Sequence, residues 1–188
     1  MITARTVAAL QAAFEQAVHE NSGTGQTRVS ITHGTTSAQQ DRTGHQLLVL
    51  TIAAQDFRIV VLFDFLPDTT TGNWFASLFH KSESCIEGQT LTDALAEYVN
   101  MVCGTANRLI STDSRRTGMS TPFVLEAGCR AHLPRIQPEH TLNLQIQAAA
   151  GMHYELLLCL CSASAISVDF DIDLHAQEET VGGELELF

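Results

Sequence analysis

Apolar side chains recur at helical spacing in three stretches of the chain and follow strand patterns between them. Val7, Leu10, Phe14 and Val18 mark one face of a first helix. Asn21-Ser22-Gly23-Thr24-Gly25 ends it, because Asn and Gly punctuate helix termini. Val29 and Ile31, alternating with Arg28, Ser30 and Thr32, predict a short strand, and the polar stretch 34–43 a loop. Gln46–Ala53 and Phe57–Phe65, rich in β-branched and aromatic residues and separated by Ala54-Gln55-Asp56, predict an antiparallel hairpin. Pro67-Asp68 then opens a second helix carrying Trp74, Phe75, Leu78 and Phe79, and a polar linker over 81–89 leads on to a third helical stretch over 90–111.

Beyond that stretch, 113–118 reads as a polar turn and Thr121-Pro122-Phe123-Val124-Leu125 as the start of a strand. Pro134 and Pro138 bracket a loop. Residues 143–149 and 153–161 predict a second hairpin around Ala150-Gly151, and the alternation over 166–172 predicts an edge strand whose charges deter unwanted pairing. Hairpins with segregated helices imply an α+β domain: an antiparallel or mixed sheet packed with two to three helices, over 1–162. An acidic strand or tail over 163–188 follows.

The third helix carries the candidate chemistry. At about 100° per residue, Leu95, Val99, Val102, Ala106, Leu109 and Ile110 share one stripe, the expected core face. Asp93, Glu97, Asn100 and Gly104 cluster opposite, at spacings of three and four. Glu97 and Asn100 are therefore expected to project together from an exposed face. A glycine inside a helix costs about 1 kcal/mol against alanine, so Gly104 points to close approach of another surface. That surface is a partner, or the core itself if the helix is rotated. A Glu and an Asn three apart are weak alone: 12 Glu and 5 Asn in 188 residues give roughly 0.3 such pairs by chance.

Composition narrows the function classes. Ten basic residues against 21 acidic ones give a net charge of −11, and Lys81 is the one lysine, so no basic patch suits nucleic acid. No run nears the ~20 apolar residues of a membrane helix, and Gln11 and Glu15 interrupt the apolar patch near the start, against a secretory signal. A cytoplasmic protein is expected. The five cysteines at 85, 103, 129, 159 and 161 form no C-x-x-C, and the eight histidines no H-E-x-x-H, so no metal site is expected. Cys159 and Cys161 are expected on one side of a strand as reduced, buried thiols. Asp169, Asp171, Asp173, Glu178, Glu179, Glu184 and Glu186 form an acidic end, a solvated strand or tail in the simpler reading and a dock for a basic partner in the other.

The run Glu97-Tyr98-Val99-Asn100-Met101-Val102-Cys103-Gly104-Thr105-Ala106 closely resembles the signature helix of the CheX branch of the CheC/CheX/FliY chemotaxis phosphatases. There a Glu-x-x-Asn pair precedes an apolar triplet, a Gly and a small-residue step. Asp93 matches the Asp or Ser before the pair, and Thr121 to Gly128 the family's Pro-containing strand. Thr105 and Asn107-Arg108 depart from the Asn and Lys often found after the glycine. The likeness spans about 1–162 and is strongest over 93–128. It implies a CheX-like fold and a phosphatase acting on the aspartyl phosphate of a response-regulator receiver domain. Glu97 would bind the receiver's active-site lysine, Asn100 would enter its pocket to orient water, and Asp93 and Gly104 would lie on the partner face. Phosphoryl transfer needs positioning more than a strong base, and an amide both donates to and accepts from water. Mg²⁺ would come with the receiver, and no cofactor belongs to this chain. The resemblance also implies a homodimer joined through sheet edges.

Two other readings fit the same residues. One is a non-catalytic docking or adaptor module of the same fold, although pure docking could dispense with the amide. The other is a globular α+β protein whose exposed Glu and Asn do nothing. Asp93 could also serve the helix dipole, and Pro122 suits a strand start.

Overall fold

The structure is a computed structural model, and it describes residues 1–23, 30–33, 42–79, 82, 84–112, 115–148, 151–162 and 167–172. In chain order its elements are α1 (Ala4–Asn21), β1 (Ser30–His33), β2 (Gln46–Ala53), β3 (Phe57–Phe65), α2 (Thr69–Leu78), α3 (Gly88–Ile110), β4 (Gly118–Met119) and β5 (Phe123–Glu126). A 3₁₀ stretch (Ala127–Ile136), β6 (His140–Gln147) and β7 (His153–Ser162) complete them. Side chains place the first two helix starts. The Thr3 hydroxyl accepts from the Thr6 amide, and Asp68 Oδ1 accepts from the Thr71 amide at 2.9 Å, each satisfying a donor that helix geometry orphans.

Among the described residues one antiparallel sheet of seven strands runs β1-β6-β7-β3-β2-β4, with β5 also on β2. Both expected hairpins form, β2 with β3 from Gln46↔Phe65 to Ala53↔Arg58 and β6 with β7. The period of two then sorts the side chains. Phe57, Ile59, Val61, Phe63 and Phe65 of β3 point to the helices, as do Leu156, Leu158 and Leu160 of β7, and they meet Leu10, Phe14, Leu95, Val99 and Val102 in the main core. On the opposite face Leu47, Val49, Leu62, Leu157 and Cys159 form a smaller core, against which Leu125, Cys129 and Leu133 pack. Central strands buried on both faces read as near-continuous apolar runs, which explains their visibility in the sequence. Cys159 and Cys161 share one side of β7, both buried, and all five thiols are free. No described helix is long and apolar enough to cross a membrane.

Several elements differ from the sequence reading: β4 pairs Gly118, expected in a polar turn, with Ala53 of β2, and β6 begins at His140 rather than at 143. The expected loop between Pro134 and Pro138 is mostly a 3₁₀ stretch that starts at Ala127 and contains Pro134; packing of Cys129 and Leu133 on the sheet's second face selects it. The third helix begins at Gly88, inside the expected linker. The expected edge strand over 166–172 is described from 167 onward and makes one parallel bridge, Ile2 to Val168. Its Val168 and Phe170 carbonyls instead accept from the Thr6 hydroxyl, and both side chains are buried. The residues 173–188, which hold most of the acidic end, and most of the expected loop over 34–43 lie outside the described residues.

The second face also holds an unforeseen ionic cluster. Asp64 and Glu155 stand opposite each other in the β3–β7 register. Two guanidiniums bridge them. Arg42 pairs with Asp64 and, at 2.7 Å, with Glu155; Arg130 pairs with Asp64 at 2.9 Å and with Glu155 at 2.6 Å. His45 Nδ1 adds a 2.6 Å contact to Asp64. Arg42 precedes β2 and Arg130 sits in the 3₁₀ stretch, so the cluster ties both segments to the sheet.

Candidate functional site

Helix α3 is amphipathic enough to be placed by its buried side alone. Leu91, Ala94, Leu95, Tyr98, Val99, Val102, Cys103, Ala106, Leu109 and Ile110 are buried on it, including every residue of the expected core stripe. Its last turn carries Arg108, and Arg115 Nη1 donates to the Ile110 carbonyl at 2.8 Å, so cationic groups meet the negative end of the dipole. At the other end, Gly88 adopts φ +57°, a left-handed conformation that suits glycine. A Cβ on Gly72 of α2 would lie 2.3 Å from the Ile86 carbonyl oxygen and 2.8 Å from Cys85 Sγ. A bare glycine there lets the segment entering α3 pass directly over α2.

Rotation about the helix axis is set by Tyr98. Its ring is buried and stands edge-on to Trp74, Phe75, Phe63 and Tyr154, at centroid distances of 5.4–6.4 Å. Its hydroxyl shares hydrogen bonds with Ser22 Oγ at 2.9 Å and Tyr154 OH at 2.7 Å. Burial pushes the Tyr98 phenol up to about 12 against the opposing pull of those two bonds. The hydroxyl therefore stays protonated and able to donate at any physiological pH.

With Tyr98 and the core stripe held inward, the opposite side of α3 is aimed outward. Asp93, Glu97 and Asn100 are exposed and Gly104 is half-buried, all along one side of α3. The structure thus brings the four residues to one face, as their spacing requires. Neither Glu97 nor Asn100 has a side-chain hydrogen bond or ion pair with any other described residue, whereas Asp93 Oδ1 accepts from Gln89 Nε2 at 2.7 Å. The N-terminal turn of α3 holds no acidic residue. Asp93 lies beyond it, where the dipole has faded. A Cβ on Gly104 would meet nothing within 4 Å. The core therefore makes no demand for glycine there, and the open question of which surface Gly104 accommodates falls away from the core side.

Sequence reasoning missed Tyr98 as the residue that orients the pair and Gly72 as the one that seats the helix. A tyrosine inside an apolar stripe carries the first signal; the second depends on a contact visible only once the chain is folded. Among the described residues, no cluster of three or more His, Cys, Asp or Glu side chains is arranged to hold a metal.

No protein-family model matches the sequence, and no curated protein sequence does. Solved structures do match in shape. A chain of the CheX–CheY–BeF₃–Mg²⁺ complex from Borrelia burgdorferi superposes with a TM-score of 0.57 at 10% identity, covering 82% of this chain and 96% of that one. A CheC-like superfamily protein from Shewanella sp. PV-4 gives 0.56 at 12%, covering 85% and 99%. The chemotaxis protein CheX from Vibrio vulnificus gives 0.53 at 13%, covering 82% and 98%. At such identities the likeness is one of fold, and the chain has the CheX-like α+β fold.

Proposed function

We propose that this chain hydrolyses the aspartyl phosphate of a response-regulator receiver domain. The observation that carries the reading is the unengaged Glu97–Asn100 pair, held outward on a helix whose rotation Tyr98 locks. A free carboxylate and a free amide one turn apart suit two tasks. The Glu97 carboxylate pairs with a lysine in the receiver's phosphorylation site and sets the register of docking. The Asn100 amide reaches the phosphoryl group, where it accepts from water with its oxygen and donates with its nitrogen, holding that water in line for attack. The receiver brings its own Mg²⁺, and the chain's residues serve to dock and position. The relative from Borrelia burgdorferi, captured with CheY, supports a receiver domain as the partner class. A cytoplasmic setting follows from such a partner.

The test is the decay of phosphorylated receiver domains from the source organism with and without the protein, beside Asn100→Ala and Glu97→Lys. Accelerated decay that Asn100→Ala abolishes supports the phosphatase. Receiver binding without acceleration would favour the docking module instead. For a second copy of the chain, the sheet edge at β5 is the suited surface: Phe123 and Val124 are 49% and 43% exposed there, and β5 pairs only with β2 among the described residues.

A further inference from the structure

A shallow hollow of about 270 Å³ lies beside Glu97, between the end of α2 and the exposed side of α3. Among the described residues it is lined by Phe79, Thr90, Asp93, Ala94 and Glu97. The four α3 residues fall at steps of three, one and three, a single stripe along the helix. Phe79 is half-buried at the end of α2, its ring stacked on Phe75 with centroids 6.2 Å apart. The hollow therefore has an aromatic and methyl floor with one carboxylate at each of two successive turns of its rim. None of the described lining residues is basic.

We infer that this hollow receives a second basic side chain of the receiver, a Lys or Arg distinct from the one that pairs with Glu97, and that Phe79 and Asp93 form its seat. The inference rests on the proposed function for the partner's identity. The chemistry matches at both ends: a long cationic side chain lays its methylene stem on apolar surface while its head stays at a wet rim. The stem covers Phe79 and Ala94, and a guanidinium or ammonium over an aromatic face gains cation–π attraction as well. Its head reaches Asp93, whose carboxylate the Gln89 amide already holds at 2.7 Å and so presents with little remaining freedom. A neutral apolar side chain would leave the Asp93 carboxylate against a desolvating surface with no cation to meet it, which disfavours that occupant. Two cation sites one helical turn apart fix the angle at which α3 meets its partner, and a single Glu–Lys pair cannot.

The experiment is the affinity of the protein for the source organism's receiver domains, each loaded with beryllofluoride and Mg²⁺ as an acyl-phosphate analogue. Asp93→Asn, Asp93→Lys and Phe79→Leu are compared with the parent at two ionic strengths. Asp93→Asn should raise Kd about five-fold and Asp93→Lys more, and added salt should weaken the parent more than Asp93→Asn. Phe79→Leu should raise Kd two- to five-fold, by loss of the aromatic floor. Asp93 is exposed, so its variants test the seat even where Phe79→Leu disturbs folding. Unchanged Kd in the Asp93 variants overturns the seat while leaving Asn100-dependent hydrolysis standing. Weakened binding of a receiver that is never dephosphorylated supports the seat and overturns the phosphatase. Absence of binding by the parent to every receiver overturns both.

Discussion

Replacing Gly104 with alanine should move stability and partner binding in opposite directions. The position is half-buried within the 23-residue α3, and a Cβ there meets nothing within 4 Å. No overpacking term offsets the backbone entropy that alanine removes from the unfolded chain, so the helix gains about 0.8–1 kcal/mol. On a domain of this size that corresponds to a rise in Tm of roughly 2–4 °C. If the partner's surface closes on α3 beside Asn100, the same methyl group holds the two backbones apart. A misfit worth about 1.4 kcal/mol would weaken receiver binding roughly tenfold. Urea denaturation followed by far-ultraviolet circular dichroism reads the first quantity, and titration of a beryllofluoride-loaded receiver reads the second. A loss of stability would refute the open, regular helix described for this position. A gain in stability with unchanged affinity would refute the placement of Gly104 on the partner face.

Four further outcomes are expected. Gly72→Ala should destabilise by about 1–3 kcal/mol, because its Cβ would lie 2.3 Å from the Ile86 backbone oxygen; calorimetry showing no change in Tm would contradict the close packing of α2 against the entry to α3. Asp64→Ala leaves Arg42 and Arg130 sharing the Glu155 carboxylate, an excess of buried positive charge that should cost about 3–5 kcal/mol, readable in urea melts. The Glu155 carboxyl is pushed up by burial, but hydrogen bonds from Arg42, Gln145 and Arg130 outweigh this and hold it below its ordinary value. Its folded pKa being depressed, it adds stability above the unfolded value of about 4.3 and loses it as pH falls below that; Glu155→Gln should therefore flatten the stability profile in this acid range, and an unaltered profile would count against the pairing. Phe123→Lys should shift any self-association to monomer in sedimentation experiments, and a dimer that survives it would move the interface away from β5.

The legible parts of the fold were those whose periodicity is enforced by burial. β2 and β3 have the bounds that their β-branched and aromatic runs imply, since both strands are buried against the helices and partly against the second face. All six residues of the α3 stripe are buried, and the four opposite them share one side, because a long helix pinned on one face leaves little choice for the other. The 3₁₀ stretch was hidden behind Pro134, a residue that reads as loop until Cys129 and Leu133 find the sheet. The Arg42–Asp64–Arg130–Glu155 cluster joins positions far apart in sequence; one carboxylate inside each of the apolar runs of β3 and β7 was its trace. For 166–172, alternation suggested pairing along an edge, but Met1, Thr3 and Thr6 take up its backbone groups at the foot of α1. At the site, spacing alone placed Glu97 and Asn100 side by side, while the hydrogen-bonded Tyr98 that aims them became visible only in the folded core.

The central claim is that Asn100 positions water against a receiver's aspartyl phosphate. The most direct test is single-turnover decay of a phosphorylated receiver from the source organism, with saturating parent protein or with Asn100→Ala. The account predicts faster decay with the parent and a loss of at least about 10²-fold of that acceleration in the variant, with receiver affinity retained, as misplacement of a reacting group implies. Equal acceleration by the two proteins would contradict it.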